Sequence, residues 1–417
     1  MRLRFAATTT GFVALMAATG ASAQSVPANV GVADRTRSEY DPVGARLGSF
    51  ILLPRVETSV AYDDNIYAAR ADKVSDEILT ITPAARLSSQ WQRNRLDINA
   101  LYSRNFYASR GSESNSNYQV DAAGILDVSR QTQVRLQALA GRFIESRTDI
   151  NSFSAIASPT RFTRVSGRAG LDHQFNTLAV SAEAGVQKLS YSDTRLIDNT
   201  VFDQSFRDNV LTDGTLRLRY GLRTGTAFVV QVSADKLHYN NAPPPVLGAV
   251  ANRDTSGYRV EGGLILELSS LIYGDVRIGY LHRNTADPTI KNVSGLSFAA
   301  NVLWNVTPLT SVRLIANRSV EDSVSRIVAG NLRSQGTLTV DHELLRNVLL
   351  NASVRYANIS PIGPVSDSQE LEFRAGATYY LNRRFGLRAS YRLYDRSSKV
   401  FQEFTSNRLT ATLITRF

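Results

Sequence analysis

A two-residue period runs almost unbroken from Gly48 to Phe417, and it restricts the fold more than any other feature, because a β-strand alone sends successive side chains to opposite faces. It is clearest at the end of the sequence. From Phe385, alternate positions read Phe385, Leu387, Ala389, Tyr391 and Leu393, while those between read Gly386, Arg388, Ser390, Arg392 and Tyr394. After a polar break at 395–399, Leu409, Ala411, Leu413, Thr415 and Phe417 share one face against Arg408, Thr410 and Thr412. An apolar stripe ending on an aromatic ring has no particular logic in water. In an outer-membrane barrel it is the closing strand, and the stripe with its terminal Phe417 is the expected signal to the barrel-assembly machinery and its periplasmic chaperones.

The other end states a destination. Arg2 and Arg4 precede an apolar run from Phe5 through Phe12, Val13, Leu15 and Met16, and Ala21-Ser22-Ala23 stands before Gln24. This pattern predicts a secretory signal peptide over residues 1–23, cut between Ala23 and Gln24 with Ala21 as the second small recognition residue. No later stretch approaches the ~20 consecutive apolar residues of a spanning helix. A membrane-embedded form must therefore cross as strands. Residues 24–47 carry Pro27 and Pro42, lack periodicity and read as a mobile periplasmic leader, far too short for a folded plug.

From Gly48 onward, short turn-like breaks recur at Gln92-Arg93-Asn94, Ser129-Arg130-Gln131, Phe175-Asn176-Thr177, Arg223-Thr224-Gly225, Ser269-Ser270-Leu271, Thr307-Pro308-Leu309, Leu345-Arg346-Asn347 and Asn382-Arg383-Arg384. Their spacing of roughly forty residues is also that of a propeller blade. Each unit, however, holds two runs of about a dozen residues, the length of a tilted membrane strand. Longer polar connections alternate with these breaks: Asp63 to Asp76, Ala108 to Ser116, Ser146 to Pro159, Ser192 to Arg207, Asn240 to Asp254, Asn284 to Lys291, Ser323 to Ala329, Ser360 to Ser366 and Ser397 to Glu403. The expectation is an all-β chain: a transmembrane up-and-down antiparallel β-barrel of about eighteen strands over residues 48–417. Its short turns are periplasmic, its longer loops extracellular, and it lies in the outer membrane of a Gram-negative bacterium, with that membrane's lipid as its first partner.

Alternation also sorts the charges. The lipid side takes Ile81, Leu87 and Trp91, then Leu96, Ile98 and Tyr102, with Leu216, Leu218, Tyr220, Leu264, Leu266, Leu371, Phe373 and Tyr379. Most arginines and acids fall on the inward side, where cross-strand ion pairs stiffening the wall are the plain reading. A sharper one is that Arg355, Arg374, Arg388, Arg392 and Arg408 line the pore as a cationic strip favouring anionic solute, with Glu370 and Glu372 nearby. Eighteen strands leave room for an aqueous channel, and Ser192 to Arg207 and Asn240 to Asp254 are the loops expected to fold inward.

Composition removes several alternatives. Cysteine is absent, which excludes disulfide staples, thiolate metal sites and a Cys nucleophile. The net charge of +10 falls to +8 once Arg2 and Arg4 leave with the signal, and the basic residues, almost all arginine, are dispersed through strands instead of clustered, so nucleic acid is not an expected partner. A lipid or lipopolysaccharide hydrolase would need one of His173, His238, His282 or His342 beside a serine, and no motif surrounds any of them. Asp63-Asp64-Asn65 lacks the spaced ligands of a calcium loop. No cofactor, metal or catalytic residue is expected.

The stretch Phe50-Ile51-Leu52-Leu53-Pro54, then Ala61-Tyr62-Asp63-Asp64-Asn65-Ile66-Tyr67, then Glu77-Ile78 and Thr82-Pro83 resembles the opening of a family of outer-membrane β-barrel porins, β-barrel porin type 2, found alongside exopolysaccharide loci in Proteobacteria. The resemblance implies a porin-like conduit that moves or anchors surface polysaccharide, with the polysaccharide and its periplasmic export components as partners, and it carries over no catalytic residue. The alternatives are a general diffusion porin for small anionic solutes and the hydrolase.

Overall fold

The structure, a computed structural model, describes residues 30–417 apart from 153–154, 224, 243–251, 269–270, 322, 324, 326 and 400–402. The signal-cleavage residues, the Ser269-Ser270 turn and Pro243-Pro244-Pro245 lie outside the described residues.

Eighteen long strands follow one another: β1 Phe50–Asp63, β2 Asp76–Ser89, β3 Arg95–Tyr107, β4 Asn115–Asp127, β5 Thr132–Ile144 and β6 Arg161–Phe175. Next come β7 Leu178–Tyr191, β8 Asn209–Arg223, β9 Thr226–Tyr239, β10 Thr255–Leu268, β11 Ile272–Thr285 and β12 Val293–Thr307. The last six are β13 Thr310–Glu321, β14 Asn331–Leu345, β15 Val348–Pro361, β16 Ser368–Tyr380, β17 Phe385–Ser398 and β18 Phe404–Arg416. Each pairs antiparallel with its neighbours in sequence, and β18 returns to β1 with Leu413 opposite Thr58 and Leu409 opposite Tyr62. The sheet is thereby closed, and among the described residues each of these eighteen strands is paired on both sides. With strands ~4.8 Å apart and tilted ~40°, eighteen of them enclose a cylinder about 35 Å across between backbones.

All the expected short turns within the described residues join strands at one rim, and the long connections join them at the other. Turns this tight need unusual backbone: Asn176, between β6 and β7, has φ 42°, and Gly225, between β8 and β9, has φ 80°. A Cβ on Gly225 would lie 2.3 Å from the Glu267 carbonyl oxygen, so glycine is required there on both counts.

Register carries the two faces around the whole circuit. The outward positions hold the exposed apolar side chains, among them Val60, Ile81, Val120, Leu136, Leu216, Leu264, Leu338 and Leu413. Exposed rings collect near the strand ends, with Trp91, Phe175, Tyr220, Trp304 and Tyr379 at the short-turn rim and Tyr62, Tyr102, Tyr118, Tyr258 and Tyr356 toward the long-loop rim. That is the girdle pattern of a lipid-facing barrel. Among the described residues no central apolar core exists, and small clusters such as Ala61–Ile66–Ile78 and Ala68–Tyr394–Phe404 sit under the long loops.

Residues 30–47 depart from the expectation of a mobile leader. A single 3-10 turn at Val32–Asp34 docks on the inner wall at the short-turn mouth. The Val32 N–H donates to Ser311 Oγ at 2.9 Å, and Val32 is fully buried. Arg37 donates to the Val32 carbonyl at 2.8 Å and forms a buried ion pair with Glu343 at 2.9 Å. Ala45–Leu47 then folds back on Phe50–Leu52 as a short hairpin. Polar composition without periodicity reads as disorder until a partner such as Glu343, some three hundred residues away, is brought within reach.

Candidate functional site

The inward positions make the lumen a charged wall. Between β5 and β8, Arg135 bridges Asp172 and Glu183, and Arg168 bridges Glu183 at 2.6 Å and Asp213 at 2.8 Å. Arg277 contacts Glu261 and Asp275, Arg283 pairs with Asp235 at 2.5 Å, and Arg333 reaches Glu321 at 2.8 Å and Glu370 at 2.7 Å. Strand alternation puts opposite charges on adjacent strands at one level, and that spacing is within reach of an arginine.

The five arginines of the expected strip all face inward on the neighbouring strands β15 to β18. Arg355 pairs with Glu372 at 2.8 Å, and Arg374 shares the same carboxylate. Arg388 lies 3.3 Å from Glu57, while Arg392 and Arg408 share Asp63 at 3.8 and 3.5 Å. The acids near the strip therefore differ from the pair expected: Glu372 takes part, Glu370 belongs to Arg333 and Arg396, and Glu57 and Asp63 arrive across the closing seam. Arg374 stands directly opposite Arg392, and Arg392 directly opposite Arg408. Like charges facing each other across strands oppose folding. Here three arginines occupy one cross-strand row, served by Glu372 and Asp63, and the buried Nε atoms of Arg388, Arg392 and Arg408 have no hydrogen-bond partner. In that row three guanidinium groups share two carboxylates.

A loop crosses above the strip. The segment after β5 places the Thr148 and Asp149 carbonyls against Arg396 on β17, with Nη2 donating to the first at 2.6 Å and Nη1 to the second at 3.4 Å. Arg396 is itself held by Glu370 at 2.8 Å and is almost fully buried. β5 and β17 lie six strands apart around the circuit, so the loop bridges the mouth from wall to wall. Its base is fastened by Arg147 to Glu113 at 2.6 Å, with the guanidinium over the Tyr67 ring. Burial raises the Tyr67 pKa, with Glu113 adding to the effect.

Described residues at the ends of the two loops expected to turn inward pack at the same rim. Arg207, fully buried, pairs with Glu145 at 2.6 Å and covers the Tyr191 ring. Arg253 packs over Tyr239 and donates to the Phe206 and Ser323 carbonyls. The contact of Thr148 and Asp149 with the far wall is not legible in the sequence, because Arg396 reads there as one more wall arginine. At the opposite mouth the docked leader adds Arg35, which donates to Asn305 at 3.4 Å, and Asp34, 3.4 Å from Arg313. Burial lowers the Arg35 pKa, against the opposing pull of Glu343.

The four histidines face outward. Their rings bond to Thr132 (His173, 2.8 Å), Asp254 (His238, 2.6 Å), Asn284 (His282, 2.9 Å) and Thr310 (His342, 2.9 Å). Ser294 stands opposite His282 in the register. Among the described hydrogen bonds, none joins a serine hydroxyl to a histidine ring. The described residues also hold no cluster of three or more His, Asp or Glu arranged to bind a metal.

A family model described as "Putative beta-barrel porin 2" matches residues 37–417. No curated protein matches the chain. Solved structures similar to it include the outer membrane protein OpdK of Pseudomonas aeruginosa, 11% identical with a TM-score of 0.41 over 88% of this chain and 99% of that one. Another is OccAB3 of Acinetobacter baumannii, 10% identical with a TM-score of 0.45 over 89% of this chain and 100% of that one. OccK2 (OpdF) of Pseudomonas aeruginosa is 10% identical, with a TM-score of 0.45 over 89% and 99%.

Proposed function

On the premise that this chain belongs to the β-barrel porin 2 family, we propose that it is a passive outer-membrane conduit for anionic cargo, the cargo being surface or exopolysaccharide on its way out of the cell. The observation that carries the reading is the row Arg374–Arg392–Arg408, an arrangement that costs the fold stability and leaves uncompensated charge facing the lumen. Uronate and other acidic sugars would be drawn along such a wall, and weak, shared contacts let a polymer slide past them. In this reading the long loops are extracellular, both termini are periplasmic, and the docked leader faces the export components. Deleting the gene in its host and measuring extracellular polysaccharide tests it: a loss restored by the parent and not by a strip variant is expected.

A second reading, a diffusion porin for small anions, is favoured by the narrowing of both mouths, one by the Arg396-anchored loop and the other by the docked leader. Unchanged surface polysaccharide on deletion, together with anion conductance in bilayers, would select it.

A further inference from the structure

The outward face carries a charge asymmetry that the conduit does not use. Followed through the register, the described lipid-facing positions of the eighteen strands hold six Arg and Lys side chains: Arg104, Arg142, Arg161, Lys188, Lys236 and Arg318. Every one lies within four residues of the long-loop end of its strand, whereas the outward positions described at the short-turn end hold aromatic and aliphatic side chains, hydroxyls such as Thr132 and Thr310, and His173 and His342. The outward acids of the strands are Glu77 and Asp395, which flank the closing seam, and Asp395 accepts the Thr405 hydroxyl at 2.6 Å. An Arg or Lys on the lipid face is tolerated near an interface at little cost, and simple snorkelling would place such residues at both rims. Glu77 and Asp395 share that rim, and the excess of six cations over two acids there suits a leaflet with its own negative charge.

Four of the six form an arc on β5, β6, β7 and β9. Arg142 stands opposite Thr163, so Arg161 is its diagonal neighbour, about 7–8 Å away. Lys188 and Lys236 flank β8, where Val210 and Thr212 oppose them, at roughly two strand spacings or about 10 Å. Nearby Asp208 and Asp254 are engaged: Asp208 accepts the Tyr191 N–H at 2.6 Å, and Asp254 holds His238 and the Tyr239 N–H. Beside the Arg142 end of the arc, an apolar groove of about 670 Å³ runs along the outer wall over Pro83, Ala100, Tyr102, Tyr118, Val120 and Ala140, reaching Thr163 and Val165 on β6. Tyr118 at its upper end is the direct cross-strand partner of Arg142.

We propose that this arc and groove bind one lipid of the outer leaflet, a phosphorylated glycolipid of the lipopolysaccharide kind. Its phosphates lie on Arg142, Arg161, Lys188 and Lys236, and an acyl chain lies along Ala100 and Ala140. Phosphate oxygens accept charge-assisted hydrogen bonds from guanidinium and ammonium groups, and Ala100 and Ala140, which flank Val120 on either side, leave a shallow track beneath the Tyr102–Tyr118–Arg142 row where a hydrocarbon chain can lie. The assignment rests on the orientation proposed above, with the long loops outside.

The test uses the full barrel in detergent and in nanodiscs, with lipopolysaccharide retention read by native mass spectrometry and heat-modifiable migration confirming the fold. The parent should retain lipopolysaccharide through purification. R142Q/R161Q/K188Q/K236Q should lose at least tenfold, K188Q/K236Q should lose an intermediate amount, and lumenal R217Q/R219Q should retain it. Enzymatically dephosphorylated lipopolysaccharide should fail to rebind the stripped parent. Retention undiminished in the quadruple variant, equal loss in the lumenal variant, or equal displacement by phosphatidylglycerol vesicles would each overturn the assignment. Binding is read without conductance, so a barrel that binds the lipid but passes no ions contradicts the conduit and leaves this site standing.

Discussion

Replacing Arg396 with Gln removes the post that holds the cross-lumen loop while sparing the barrel. Arg396 donates to the Thr148 carbonyl at 2.6 Å and, at a longer 3.4 Å, to that of Asp149. A hydrogen bond from a charged donor is worth about 1.5–3 kcal/mol, and the longer contact adds little. At 1.4 kcal/mol per tenfold, losing it shifts the docked-to-undocked ratio of the loop tip by about 10- to 100-fold. Glu370 keeps its second partner, Arg333, at 2.7 Å, so the substitution leaves no buried carboxylate alone and the wall remains paired. The loop base also stays fastened through Arg147 and Glu113. Single-channel recording in planar bilayers should therefore show a larger mean conductance with added flicker, and heat-modifiable migration should be unchanged. If the variant folds and its conductance and noise equal the parent's, the loop does not narrow the path.

Three shorter predictions follow from the same geometry. The chain has no cysteine, so Asn199→Cys in the loop after β7 should be labelled by an impermeant maleimide on intact cells and Arg384→Cys in a short turn should not; the reverse pattern inverts the orientation. Deleting Phe417, which is exposed and donates its N–H to the Pro54 carbonyl at 3.1 Å, should reduce assembled barrel severalfold on heat-modifiability gels, whereas normal assembly would remove the closing-strand signal from the account. Arg37→Ala breaks the buried pair with Glu343, which still has Arg346 at 3.4 Å, and should release residues 30–47 to limited proteolysis with the barrel intact; a leader that stays protected is held by something other than Arg37.

The barrel was legible because its two rules are local. Side-chain direction alternates along any strand, so the inward placement of Arg55, Arg217 and Arg408 and the outward placement of Leu96, Tyr220 and Phe373 followed from counting, and each agrees with the register. Break length alternates as well, and that yielded the strand number. What stayed hidden depends on closure. Glu57 and Asp63 meet Arg388 and Arg408 only once β1 and β18 join, and which of nine long loops bends inward depends on Arg396, a wall residue 248 positions from Thr148. The docking of the leader is hidden for a similar reason: Val32 and Arg37 carry no periodic signal, and the pocket that receives them is built from β12, β13 and β14.

The most direct measurement is the reversal potential of the reconstituted barrel under a salt gradient, for the parent and for R388Q/R392Q. Both positions face the lumen, and after substitution Glu57 retains Arg55 at 3.8 Å and Asp63 retains Arg408 at 3.5 Å, so the fold should persist. Screening over ~8 Å at physiological salt limits each charge to its own stretch of the lumen, so the effect should be graded and largest at low ionic strength. The account predicts anion selectivity in the parent and a reversal potential shifted toward zero in the double variant. A folded variant whose low-salt reversal potential matches that of the parent would contradict it, and would leave these arginines as wall ion pairs alone.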